Sequence, residues 1–169
     1  MSIKVEEYIR DDASNPYKNW FDGLTSQAAA KVTVAKIRIA VGVQGSKKGD
    51  DWQINQQAQG VKTMALTRNF KETVIQRVQN DASFAQAMLD EAATLFLNGE
   101  PETARLILRD LVNATIGFEQ LAALTAKPSK SLHRMLSPTG NPSMDNLAAI
   151  FRAVREKLHV NLQAHSVAA

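Results

Sequence analysis

Two helical runs too short to stand alone lie on either side of a proline. Phe118–Thr125 and Ser129–Leu136 both carry helical periodicity, and Ala126-Lys127-Pro128 separates them. Isolated helices shorter than about 12–15 residues are marginal in water. Each run must therefore be held by packing against the other and against a larger body. That requirement points to a mainly α fold, in which the two segments cross at an angle instead of continuing as one rod. The chain is long enough to supply the body: 169 residues, 44% hydrophobic and 22% charged, suit one ordinary domain or one domain plus an appendage.

The rest of the chain divides readily. Residues 3–9, IKVEEYI, are β-prone and predict a short strand. Asp11 to Pro16 is turn chemistry. Tyr17 to Leu24 can open a short helix with Trp20, Phe21 and Leu24 on one side. Thr25 or Ser26 can cap a helix over about 27–41, with Val34, Ile37 and Val41 inward. Residues 42–63 hold four glycines and no period, and predict a linker that Trp52 could pin to a neighbour.

From Phe70 onward helices dominate. Phe70, Val74 and Val78 predict one up to Asn80. Ser83 can cap the next, carrying Phe84, Ala87, Met88, Leu95 and Phe96 to the Asn98-Gly99 stop. Pro101, Glu100 and Glu102 suit the start of a third, which runs to about Thr115 and buries Leu108, Leu111 and Val112. Ser143 is placed to cap a last helix. His159–Gln163 alternates like a strand and could pair with residues 3–9.

Spacing around Pro128 is informative. Leu121 faces inward, Ala122 is small enough for close approach, and Ala126 sits in the turn. Leu132 and Met135 follow Ala122 by ten and thirteen residues. This is the internal pattern of a helix-turn-helix unit over 118–137. It places Leu132, Met135 and Leu136 in the core and leaves Ser129, Lys130, Ser131, His133 and Arg134 mostly outside. Short polar and cationic side chains are what base-edge and phosphate contacts need. Lys127, Lys130 and Arg134 could equally be a solvated face. Ser129 could cap its helix, touch DNA, or both. Gln120 could hold a phosphate or be an ordinary exposed residue.

Charge and composition exclude other chemistries. Without cysteine there are no disulfides, zinc-thiolate sites or thiol nucleophiles. His133, His159 and His165 form no metal-ligand motif, and His133 has no Ser, Cys or carboxylate at useful spacing for catalysis. No catalytic residue, metal or cofactor is expected. No apolar run reaches the roughly 18 residues of a membrane span. The acidic MSIKVEEYIRDD start is unlike a secretory signal, so a cytoplasmic protein without membrane contact is expected. The net charge of +3 is mild, but unevenly spread. Between Asp81 and Glu119 seven acids face two bases, for −5; between Lys127 and Lys157 six bases face two acids, for +4. Such asymmetry can orient a molecule toward a polyanion, or can simply mark two solvated helical faces.

Three segments carry a family resemblance: MALTRNFKETV (64–74), RLILRDLVNATIGFEQLA (105–122) and SKSLHRMLSPTGNPSMDNL (129–147). Together they resemble HigA-like antidotes of toxin–antitoxin modules, in the Xre/lambda-repressor-like helix-turn-helix class. The resemblance implies a helix-turn-helix bundle over 64–169, in which the helix from Ser129 enters the DNA major groove. The class often has an apolar residue where this chain has Lys127, which here could turn out toward a phosphate. Residues 5–42 are similar to the start of RelE/HigB-like toxins, and GSKKGDD (45–51) to a remnant of such a toxin's last helical region. This implies a fusion whose toxin part has lost its middle: a strand and two-helix appendage over 1–42, a linker over 43–63, and the antidote-like domain. The toxin family's catalytic positions map onto nothing here.

The reading expected from the sequence is thus a DNA-binding transcriptional repressor that regulates its own operon, a homodimer on an operator in double-stranded DNA. Gln120, Lys127, Ser129, Lys130, Ser131, His133 and Arg134 form its contact surface. The alternative is a protein-interaction module whose acidic helices hold a RelE/HigB-like toxin, with weak DNA binding or none.

Overall fold

Backbone chemistry sets the element boundaries. The computed structural model describes residues 5–41 and 66–166. The order is β1 (Glu6–Ile9), α1 (Pro16–Asp22), α2 (Ser26–Val41), β2 (Leu66–Asn69), α3 (Phe70–Asn80), α4 (Ala82–Leu97), α5 (Pro101–Thr115), α6 (Phe118–Thr125), α7 (Ser129–Met135) and α8 (Met144–Leu158). The described residues are mainly helical. The linker expected over 43–63, with Trp52, lies outside them.

Caps explain the starts and stops. Asn15 accepts from the Lys18 amide at 2.8 Å, with Pro16 opening α1. Asn69 accepts from Lys71 N at 3.1 Å to start α3. Asp81, not Ser83, caps α4, accepting from Phe84 N at 2.9 Å. One residue thus ends α3 and begins α4, a junction too tight for a separate serine cap. Gly99, at φ +82, turns the chain after α4 in a conformation that strains any residue with a Cβ.

Helix α5 is the centre of the molecule, packing against α2, α3, α4, α6 and α8. Ala104, Ile107, Leu108, Leu111 and Val112 are fully buried there. A helix covered on most sides must also bury its polar residues, and Thr103, Arg105 and Asp110 are buried with the rest.

The amino-terminal elements do not hang from this body as an appendage. Phe21, Ala29, Ala30, Val34 and Ile37 belong to the same core, and α2 lies across α4 and α5. The apolar face of α1 is covered in part: Phe21 meets Phe84 edge-on at 5.7 Å, whereas Trp20 remains 52% exposed. Arg38 grips both carboxylate oxygens of Glu100 at 2.8 and 2.6 Å, joining α2 to the start of α5. Arg77 closes the join with hydrogen bonds to the carbonyls of Phe21 and Leu24.

The partner of β1 is β2, not residues 159–163. The pairing is antiparallel, with Glu6 opposite Asn69 and Ile9 opposite Leu66. His159 instead takes a left-handed conformation (φ 56, ψ 41) that ends α8, and Val160 N donates back to Arg155 O. Val160 and Leu162 then pack half-buried on the core without a ladder. Burial against helices produces the same alternation as a strand.

Two acids, the half-buried Asp81 and the buried Asp110, respond to pH in opposite ways. Burial works against charge on Asp81, but hydrogen bonds from Phe84 N, Arg77 and Ser26 outweigh it and hold the pKa below the usual range. For Asp110 burial dominates and raises the pKa, although Lys71 Nζ, 3.2 Å away, pulls it down. A carboxyl with its folded pKa above its unfolded one holds its proton more tightly in the folded chain. Its contribution to stability is therefore greatest below the ordinary carboxylate range and declines as pH rises through the folded value. Asp110→Asn removes that decline. Between about pH 7 and about pH 4, the urea midpoint of the wild type should gain on that of D110N as pH falls. A pH-independent gap would contradict the assignment.

Candidate nucleic-acid interface

The break around Pro128 is built from backbone geometry. Helix α6 starts after Gly117, whose φ of +75 suits glycine, and ends at Ala126 in the left-handed region (φ 51, ψ 39). The amides of Ala126 and Lys127 both point back to Ala122 O. An alanine held there stores about 1 kcal/mol of strain. Pro128 is extended (φ −59, ψ 136), and α7 begins at the next residue. Ser129 is thus the first residue of the helix and makes no capping bond.

Packing separates the two sides of α7. Leu132 and Leu136 are fully buried, as is Leu121 of α6, while Met135 and Ala122 are half-buried against them. On the other side Lys130 and Arg134 are exposed, and Ser129, Ser131 and Lys127 are half-exposed. Gln120 is exposed on α6. Among the described residues, Lys127, Lys130 and Arg134 form no ion pair. The +4 stretch therefore keeps three cations around α7 free of carboxylate partners among the described residues.

His133 is placed differently from its neighbours. Its ring stacks on Phe118 at 3.6 Å and 17°, half-buried between α6 and α7. The stack fixes the imidazole plane and ties the start of α6 to the middle of α7.

Sequence reasoning missed the residues behind this surface. Arg105 of α5 donates from Nε to Ser137 O at 3.1 Å and from Nη2 to Pro138 O at 2.5 Å. Burial lowers its pKa, with Glu102 opposing, yet a guanidinium remains charged at neutral pH. Gly140 passes so close to α7 that a Cβ there would lie 2.3 Å from Met135 O and 2.6 Å from Arg134 O. The signal for Gly140 was the Pro138-Thr139-Gly140 turn; for Arg105 there was none beyond its place on an apolar helix.

The acidic stretch is partly consumed inside the chain. Asp81 is held by Arg77 and Ser26, Glu100 by Arg38, and Asp110 by Lys71. Among the described residues no group of three or more His, Asp or Glu could hold a metal ion. No helix among them is long and apolar enough to cross a membrane. No protein-family model, curated protein or solved structure matches the chain.

Proposed function

We propose that this chain is a sequence-specific DNA-binding repressor of the autoregulating antitoxin type, acting by binding without chemistry. One observation carries the reading: a short helix anchored by the fully buried Leu132 presents small polar and cationic side chains on its outer side, and among the described residues the cations have no acidic partner. In this reading α6 and α7 form a helix-turn-helix and α7 lies in the major groove. Ser129, Lys130, Ser131 and Arg134 contact bases or phosphates, Gln120 and Lys127 contact the backbone, and His133 sits at the margin on Phe118. Readers of this kind recognise half-sites about one helical turn apart, so the working unit is a dimer.

The toxin-holding alternative draws on the acids between Asp81 and Glu119. Three of them are already paired within the chain, and α2 covers part of α4 and α5. Failure to form a complex with a RelE-like toxin in size exclusion would count against it.

The test of the main reading is titration of the purified protein onto its own upstream DNA at several salt concentrations. Arg134→Ala should weaken operator binding by about 1–3 kcal/mol if the side chain reads a base. Lys130→Ala, at a phosphate, should reduce the slope of log affinity against log salt by about one. An Arg134→Ala protein that titrates like the wild type at every salt concentration would remove Arg134 from the interface.

A further inference from the structure

We infer that Arg105 is a positioning residue for the DNA-reading helix, setting the height and rotation of α7 from beneath; this rests on the repressor reading above. Arg105 is 8% exposed and belongs to the central helix α5, so it cannot itself be a phosphate contact. A buried guanidinium usually sits against a carboxylate, because desolvating an unpaired charge is costly. Here, among the described residues, it forms no ion pair, and its charge is directed to two consecutive backbone carbonyls, Ser137 O and Pro138 O. Those carbonyls follow immediately after α7.

The carbonyl clamp engages a turn that is already locked to α7. Ser137 N donates to Arg134 O at 3.2 Å, and Leu136 N to Leu132 O at 3.0 Å. Gly140 N donates to Ser137 O at 3.0 Å, so that one oxygen accepts from both Arg105 and Gly140. Gly140 in turn lies against Met135 O and Arg134 O with no room for a side chain. Residues 137–140 are therefore a rigid block, attached on one side to the last turn of α7 and on the other to Arg105. A planar guanidinium donating along two fixed directions defines both the distance and the orientation of that block. An apolar side chain of similar volume would fill the space without defining either.

A positioning role and a contact role leave different traces in a salt titration. Losing a phosphate contact lowers the salt slope; tilting the reading helix lowers discrimination between operator and unrelated DNA while leaving the slope alone. Arg105→Ala, Arg105→Gln and Arg105→Lys are compared with the wild type on operator and scrambled duplexes. The lysine and glutamine variants preserve side-chain bulk should the alanine protein fail to fold. The expected result is at least a tenfold loss of the operator-to-scrambled affinity ratio in R105A and R105Q, a smaller loss in R105K, and an unchanged salt slope. A retained ratio in the folded variants, or a slope reduced by about one, overturns the assignment. Should the wild type itself show no operator preference, the repressor reading fails, and hydrogen exchange judges Arg105 separately. The Leu132 and Leu136 amides should then exchange faster in all three variants while those of α4 keep their wild-type rates. Unchanged exchange at Leu132 and Leu136 overturns the clamp.

Discussion

Arg77→Ala is expected to destabilise the fold by about 3–5 kcal/mol, the range for breaking a buried charged network by removing one partner. The side chain is 8% exposed and makes contacts in three directions. It donates to Phe21 O and Leu24 O at the end of α1, and to Asp81 Oδ2 at 3.3 Å at the α3–α4 junction. Its guanidinium carbon lies 5.0 Å from the ring centroids of both Phe21 and Phe84. Alanine leaves two carbonyls and a carboxylate without this donor and opens a cavity between two aromatic rings. Arg77→Lys keeps the charge but not the fork, and should recover only part of the loss. Urea unfolding followed by far-UV circular dichroism measures the effect. A loss below about 1 kcal/mol would mean that the network is weaker than its burial implies. The damage is remote in sequence and structure from α7, so the folded fraction of Arg77→Ala should bind operator with wild-type affinity.

Arg77 also marks the limit of what could be read from residue patterns. Apolar spacing and the punctuation of Pro101, Asn98-Gly99 and Pro128 located α3, α6 and the starts of α5 and α7 to the residue, the end of α5 approximately, and Ser143 as the cap of α8. These signals are local: a face repeats every turn, and a proline or glycine ends it. Charges are different, because their environment is set by distant elements. Arg105 and Asp110 entered the charge count with nothing in the local pattern to mark them as interior, but the central position of α5 buries both. Arg77 finds its carbonyls 53 and 56 residues away. The four residues of β2 carry too little pattern to announce a strand, and only the neighbouring β1 gives them a ladder. At the candidate interface, the outward set on α7 was legible from the buried positions of Leu132 and Leu136. The stack of His133 on Phe118 and the approach of Gly140 were not, since both depend on how separate segments meet.

On the repressor reading proposed above, Leu132→Ala should abolish measurable operator binding at concentrations where the wild type saturates, while leaving most of the fold in place. Leu132 is the one fully buried side chain within α7 itself, and truncating such a leucine costs about 2–5 kcal/mol. A helix of 7 residues has no independent stability to oppose that loss. Apparent affinity falls with the docked fraction, and once the cost exceeds the free energy that docks α7, each further loss of about 1.4 kcal/mol is tenfold. The core formed by α2, α3, α4 and α5 does not depend on α7, so the far-UV spectrum should remain strongly helical. Leu132→Met conserves volume and should cost less than about 1.5 kcal/mol, restoring most of the binding. Anisotropy titration with a labelled operator, read beside circular dichroism of the same samples, separates loss of the reading helix from loss of the fold. Wild-type affinity in a Leu132→Ala protein with α7 amides no longer protected from exchange would show that DNA is held by some other surface.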